Sequence, residues 1–357
     1  MPGKELVLVG GGHAHVQVLH ALKDSGLKIT LISDVAFAPY SCMLPGCLAG
    51  THQEQELVFD LAQLCQRFGY RFIHEGVASV DGDDRFLTLK DGCKISFDVC
   101  SLNVGILPRE IEAKRLQSSV IYVKPISTFL EKWKEQFEYL TLESRVVVIG
   151  GGAAAFELAI ACGLRFPGRV TLVAGEKGLT LPKGALLSAR QALADLEINL
   201  SEGQRVEAIE EKSLRLSHLA MPFDLALIAI TARPSEVVVQ SDVLKSGEGH
   251  VVVDEYLRVK NASHVFAAGD CVHFGPKGLP KAGVYAVRQG PILARNLLST
   301  LEGKKELKPY VPQKNILALL ICGKEEALFC WRGVVLRGRW VWLLKKYIDQ
   351  RFMRKFS

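Results

Sequence analysis

The chain carries one local pattern twice, and that repeat limits its fold more than any other feature. Near the start, "KELVLVGGGHAHVQVLHAL" sets an aliphatic run, Leu6–Val9, directly before Gly10-Gly11-Gly12 and a helix-compatible stretch from His15 to Leu22. At 144–165, "SRVVVIGGGAAAFELAIACGLR" repeats it: Arg145–Ile149, Gly150-Gly151-Gly152, then an apolar helix. A buried strand, a glycine turn and a helix in that order let the backbone turn sharply and approach a ligand closely. The helix N-terminus then faces an anion such as a pyrophosphate. The second stretch has the length of a membrane span, but three glycines and Glu157 inside it favour strand, turn and helix.

The residues after each turn extend the pattern. About twenty positions after the first turn, "KITLISD" reads as a second strand ending at Ser33-Asp34, and either side chain is placed to bond a ribose hydroxyl. His15 stands where the fingerprint usually has Gly or Ala. In the second unit Gly150 and Gly152 are the turn glycines and Ala155 fills the third site. The strand Arg169–Val173 runs into "AGEK". An acid directly after that strand favours NADH and an Arg favours NADPH. Glu176 comes two residues late and Lys177 follows, which leans to NADH and leaves NADPH open. A third signature, "HVFAAGDCVHF" at 264–274, carries a strand into Gly269-Asp270. An Asp on such a turn suits a sugar-alcohol hydroxyl such as a flavin ribityl chain offers. The helix expected in "PKAGVYAVRQGPILARNLLSTL" has small residues at Ala282, Ala286 and Gly290, and its N-terminus favours negative charge. Three signatures in this order predict an α/β protein with two Rossmann-like dinucleotide-binding domains for FAD and NAD(P)H.

Composition narrows the class. The 357 residues are 48% hydrophobic and 23% charged, enough for two domains and more than one core. The net charge of +6 is spread along the chain until the basic tail, which argues against a nucleic-acid partner. The nine cysteines form no C-x-x-C and no zinc-type Cys/His spacing, so no metal site is expected and a reducing, cytoplasmic setting is.

Together the two fingerprints and the late "AAGD" resemble the pyridine nucleotide-disulfide oxidoreductase superfamily of flavoproteins over nearly the whole chain. "FDVCSLNVGILPR" (97–109, with Gly105) and "FDLALIAITARPS" (223–235) look like its two strand-to-crossover motifs. "GGGHAHVQVL", "PYSCMLPG", "LPKAGVYAVRQGP" and "RGRWVWLLKKYIDQRFMRKF" resemble one branch, the NADH dehydrogenase-like flavoprotein found fused to selenide, water dikinase, whose kinase part has no counterpart here. Type II NADH:quinone dehydrogenases and sulfide:quinone reductases look like more distant relatives. The resemblance implies an FAD domain at 1–108 and 246–305, an NAD(P)H domain at 109–245, and a C-terminal α+β segment at 306–357. It implies FAD as cofactor, NADH or NADPH as co-substrate, and electron transfer to a small acceptor. That acceptor is a quinone-like molecule or a disulfide, persulfide or selenium species. A flavin module without turnover of its own is a third reading, and a homodimer is compatible with all three.

Individual residues divide the same way. Cys42 and Cys47 in "SCMLPGC" have the spacing of a redox disulfide, but Pro45-Gly46 disfavours a regular helix through both. They are spectators beside the flavin, or Cys42 alone is redox active, or the two pair. Glu157 is an ordinary helix residue. Alternatively, as the resemblance implies, it orients the nicotinamide or transfers a proton to the acceptor. Gly10, Gly12, Ala14, Gly105, Gly269 and Asp270 are expected cofactor contacts. His13 and His15 in the first glycine loop touch the FAD phosphate or flavin, or are loop and cap residues, and no third ligand is spaced for a metal. Lys281 would add positive charge near the flavin, and Gln289 closes the flavin-helix motif or simply packs. The tail 339–356 sets Trp340, Leu343, Leu344, Tyr347, Ile348, Arg351 and Phe352 on one largely aromatic and aliphatic helical face and Lys345, Lys346, Arg354 and Lys355 on the other. That pattern suits either docking on the protein or peripheral contact with the inner face of a membrane.

Overall fold

The computed structural model describes residues 3–109, 111, 118–217, 219–230 and 232–356. The sequence repeat becomes a repeat of architecture. The first strand, Glu5–Val9, lies between Lys28–Ser33 and Val99–Leu102, parallel to both, with Val9 level with Ile32 and Leu102. In the second unit Val146–Ile149 lies between Val170–Gly175 and Leu225–Ile228, with Ile149 level with Val173 and Ile228. Each sheet continues with one more parallel strand, Arg71–His74 in the first and Asn199–Glu202 in the second. Each unit then inserts a three-stranded antiparallel piece before its last parallel strand, spanning 77–96 and 206–222. On the far flank the first sheet is extended by Ala262–Ala267 and the second by Val120–Tyr122. Strands buried on both faces explain the continuous Leu/Val/Ile runs.

The two units are joined at corresponding points. Ile106–Pro108 leaves the first sheet and Ala232–Pro234 leaves the second, and these short strands pair antiparallel with each other. The chain then returns to the first sheet through Val251–Val253, Arg258–Val259, Ala262–Ala267 and Val272–Phe274. The late helix, Gly283–Leu301, crosses the first glycine helix, His13–Ala21, where the Gln17 side-chain amide donates to the Val287 carbonyl. Last come a three-stranded antiparallel sheet, Ala318–Gly323, Glu326–Trp331 and Val334–Gly338, and the C-terminal helix Arg339–Arg354. The membrane-length stretch from Val146 is strand, turn and helix, and no described helix is long and apolar enough to cross a membrane.

Both glycine turns sit against the chain leaving the neighbouring strand. Gly10 has φ of +90°, and a Cβ there would lie 2.6 Å from the Asn103 carbonyl oxygen. Gly150 has φ of +145°, and its Cβ would lie 2.4 Å from the Ala229 carbonyl oxygen. Gly152 differs: its φ of −84° suits any residue and no protein atom lies within 4 Å of its Cβ position. Gly10→Ala and Gly150→Ala are therefore each expected to destabilise the fold by about 3 kcal/mol or more in urea unfolding. Gly152→Ala is expected to change stability by less than about 0.5 kcal/mol.

Candidate functional site

Helix N-termini converge on one cleft of the first unit. The first glycine helix starts at His13 with Gly12 as its cap residue and no cap side chain of its own. Asn103, just past the strand Val99–Leu102, supplies one: its Oδ1 accepts from the N–H groups of Ala14 (3.1 Å) and His15 (3.3 Å). Its Nδ2 donates to the Ala268 carbonyl at 2.7 Å, which ties the first glycine turn to the third signature. Gly11 is buried, and its N–H meets no acceptor among the described residues. Asn103 was not singled out in the sequence; its place just after a buried strand and two residues before Gly105 is the only local signal.

The structure sorts the expected contacts. His13 is half-buried at the cleft, its Nε2 3.3 Å from the Pro39 carbonyl oxygen and its ring edge-on to Tyr40 at 5.2 Å. A Cβ on Gly283, the first residue of the late helix, would lie 3.3 Å from His13 Nδ1 and 3.3 Å from Ser41 Oγ. His15 is a correction. It is fully buried, Nδ1 is 2.7 Å from the Gly10 carbonyl oxygen and Nε2 is 2.9 Å from Ser101 Oγ. Burial drives its ring down to about 4, so it is a neutral core residue beneath the loop and has no free nitrogen for a cofactor. Ala14 is buried with its N–H already given to Asn103. Gln289 is buried too, its Oε1 accepting from the Gly269 N–H at 2.7 Å, so it shapes the turn from behind. Ser33 is buried and accepts from the Val35 N–H, which leaves the exposed Asp34 as the free carboxylate at the end of that strand. Gly105, at φ of +63°, has open space at its Cβ position.

Two cations line this cleft. Lys124, at the end of the second sheet's flanking strand, pairs with Asp270 at 2.7 Å and so joins the two units. Lys281 donates to the Val272 carbonyl at 2.6 Å, and burial lowers its ammonium from the usual lysine range. In the second unit Ala155 is fully buried behind Gly150, and Glu176 is exposed in the turn after Val170–Gly175. The loop from 175 folds back so that Thr180 N–H donates to the Gly151 carbonyl at 2.7 Å.

The third part of the site is where "SCMLPGC" meets the C-terminal helix. Ser41–Met43 is a 3-10 turn and Leu44–Leu48 a short helix that contains Pro45, Gly46 and Cys47. Pro45 is tolerated because it sits in the first turn, where its missing N–H is not needed. As expected from the sequence, no regular helix runs through both cysteines: Cys42 lies in the 3-10 turn and Cys47 in the short helix. Both thiols are free, and burial pushes Cys47 up to about 11 and Cys42 up as well. Neither has the electropositive, exposed setting of a reactive thiolate.

The C-terminal helix docks differently from its sequence pattern. Lys345, expected on the outer basic face, is buried (8% exposed) with Asp349 (5%), Val341, Trp342 and Met353. Its Nζ donates to Asp349 Oδ2 at 3.1 Å and to the Cys42 carbonyl at 2.9 Å. Tyr40 OH donates to Asp349 Oδ1 at 3.3 Å, and the Tyr40 ring stacks on Phe352 at 4.7 Å. The outward face instead carries Trp340 (50% exposed), Leu343 (50%), Tyr347 (60%) and Ile348 (40%). Glu157 completes this corner from the second glycine helix, Ala153–Arg165, its Oε1 accepting from the Ile321 N–H at 2.8 Å. Burial pushes its carboxyl up to about 7, against the pull of Lys345 and the Ile321 N–H.

Known proteins share this fold. The chain is 21% identical to sulfide-quinone reductase of Aquifex aeolicus, over 99% of this chain and 91% of that protein. It is 22% identical to ferroptosis suppressor protein 1 of Taeniopygia guttata, over 90% of this chain and 87% of that one. The crystal structure of the Aquifex aeolicus sulfide:quinone oxidoreductase superposes with a TM-score of 0.80, covering 99% of this chain and 91% of that one. NDH2 of Plasmodium falciparum, solved with NADH, gives a TM-score of 0.80 at 13% identity, covering 99% and 97%. The model of the pyridine nucleotide-disulphide oxidoreductases matches residues 4–290, the whole span from the first glycine turn into the late helix, and the chain belongs to that family.

Proposed function

We propose that the protein is an FAD-dependent NAD(P)H oxidoreductase that passes electrons to a quinone-like acceptor at a membrane surface. The observation that carries this reading is the corner at Glu157. There the helix of the second glycine turn, the Cys42 segment and the C-terminal helix meet around one carboxyl group. In favour of NAD(P)H stands Gly152, which nothing in the protein requires to be glycine, so the close approach it permits is free for a dinucleotide. In favour of FAD stand the Gly11 N–H without a protein acceptor, the open Gly105 and the exposed Asp34 beyond the first sheet.

Residues 1–108 with 246–305 hold FAD, 109–245 hold NAD(P)H, and 306–357 close the acceptor side. Gly10, Gly12 and His13 surround the FAD pyrophosphate, Asp34 takes its ribose, and Asp270, shared with Lys124, takes a ribityl hydroxyl. Lys281 and the late-helix N-terminus give the ring's carbonyl edge a positive field. Gly150, Gly152 and Ala155 hold the NAD(P)H pyrophosphate, and Glu176 favours NADH by accepting from the ribose. When bound, FAD supplies the hydride-accepting and electron-passing chemistry. Glu157 holds or yields a proton beside the acceptor, and Cys42 packs as a spectator. The outward face Trp340, Leu343, Tyr347 and Ile348, flanked by Lys346, Arg351 and Arg354, seats the protein on anionic lipid.

Three measurements test this. Anaerobic titration of the purified protein is expected to consume about two electrons per flavin, with no long-wavelength thiolate band. About four electrons and such a band would move the acceptor to the sulfur or selenium class through Cys42 and Cys47. With NADH and a soluble quinone, turnover is expected to fall as pH rises through the Glu157 value of about 7, because the proton donor is lost. Glu157→Gln should cut that turnover by about 10² while leaving bleaching by NADH largely intact. In co-sedimentation, vesicles rich in phosphatidylserine should retain the protein and release it in high salt. The Trp340→Ser/Leu343→Ser variant should bind about tenfold more weakly, and equal binding by the variant would remove the membrane reading.

A further inference from the structure

The C-terminal helix places a buried ion pair where a helix at a protein surface has no stabilising need for one. Lys345 and Asp349 are one turn apart on its inner face, and both are nearly inaccessible. They line a cavity of about 10 Å³ with Cys42, Met43, His52, Ile321, Trp342 and Lys346, room for about one water. Lys345 is fixed from two sides, by Asp349 and by the Cys42 carbonyl, and Asp349 is fixed again by Tyr40. Glu157 faces the same corner, held by the backbone N–H of Ile321, itself a wall of that cavity.

We infer that Lys345 and Asp349 are positioning residues that set how firmly Glu157 holds its proton, so that the docked C-terminal helix governs proton delivery to the acceptor. This rests on the reading of Glu157 as the proton-handling group. Reduction of a quinone to a quinol takes two electrons and two protons, supplied in sum by NADH and one proton from water. Glu157 yields one of those protons and regains it from solvent. The groups that face Glu157 from each packed element are few. Lys345 and Asp349 come from the C-terminal helix, the Cys42 thiol from the 41–43 turn, and the Cys322 thiol and Ile321 N–H from the strand 318–323. Both thiols are pushed up by burial and stay neutral, so the ion pair is the charged part of the surroundings. The Lys345 ammonium favours the Glu157 carboxylate and Asp349 opposes it. The pair can therefore be taken apart with opposite signs. The opposite face of the same helix is the proposed lipid-seating face, so lipid contact and proton delivery share one element.

The test is a pH titration of the carboxylic C=O stretch by infrared spectroscopy on the FAD-loaded, oxidised protein. The band that vanishes in Glu157→Gln identifies the residue. Lys345→Met is expected to raise its midpoint by about one unit, tenfold in proton affinity. Asp349→Asn should lower it and Lys345→Arg should restore the wild-type value. The pH limb of quinone turnover should move with the midpoint in each variant. Should Lys345→Met not fold, the double variant Lys345→Met/Asp349→Asn removes both charges together, and its midpoint should still rise. A midpoint unmoved by these substitutions, or moved the same way by Lys345→Met and Asp349→Asn, overturns the inference. Full quinone turnover by Glu157→Gln alongside the shifted midpoints would overturn the functional reading and leave the electrostatic coupling standing.

Discussion

The side chain of Asn103 is the joint on which the nucleotide cleft depends. One amide caps the first glycine helix from a strand some ninety residues away and holds the carbonyl of Ala268 with its other end. It brings together the opening strand, the strand that leaves for the second unit and the strand that returns after it. A Cβ on Gly12 would lie 2.2 Å from Asn103 Oδ1, and one on Gly269 2.5 Å from Nδ2, so both glycines are small because this amide occupies the space. Among the described residues the second unit has no counterpart: there Ala229 approaches Gly150 through its backbone, and Gly152 has an open flank. The two turns look alike in sequence, yet the first is held by a distant side chain, while the second is held by Val173 and Thr180 at Gly150 and Gly151 and is open only at Gly152. A tightly held cofactor and an exchangeable co-substrate make those different demands.

What was legible in the sequence follows from local physics. Aliphatic runs of strand length before three glycines could be little else, and Asp34 and Gly269-Asp270 fall where such strands end. Glu176 looks two residues late in the sequence, but the strand runs on to Gly175, so the acid follows it directly. The segments 97–109 and 223–235 resemble crossover motifs, and their pairing through 106–108 and 232–234 is what the structure adds. Contacts between distant residues were not legible. His15 resembled a loop residue until its ring proved to lie between Gly10 and Ser101. Lys124 carried no motif, and only the packing of one unit on the other brings it to Asp270.

The C-terminal helix shows the limit of helical periodicity most clearly. Its aromatic and aliphatic residues repeat at three and four, which usually marks the buried stripe. Here Trp340, Leu343, Tyr347 and Ile348 of that stripe are outside, Phe352 packs inward on Tyr40, and the buried face is Val341, Trp342, Lys345, Asp349 and Met353. The energetic argument runs against reading Lys345 and Asp349 as stabilisers. A buried ion pair is often no better than apolar residues of the same volume, while losing one partner costs about 3–5 kcal/mol. Periodicity assigns charge to water by default, and it fails where a charge is retained for its field.

That field also separates the two candidate chemistries of this corner. Cys42 and Glu157 share the same neighbours, Lys345 and Asp349, and both are shifted upward by burial. The consequence differs because their ordinary values differ. A carboxyl raised to about 7 exchanges its proton near neutral pH, which is where general acid catalysis works best. A thiol raised above its ordinary range loses the thiolate that sulfur chemistry needs. Lys345 pulls the thiol down, but burial outweighs it, and its Nζ donates to Asp349 and to the backbone carbonyl of Cys42 rather than to the sulfur. One desolvated pocket thus favours proton transfer through Glu157 and disfavours electron transfer through Cys42. The proximity of the two residues to each other makes the choice between them a question of reference pKa, and not of access.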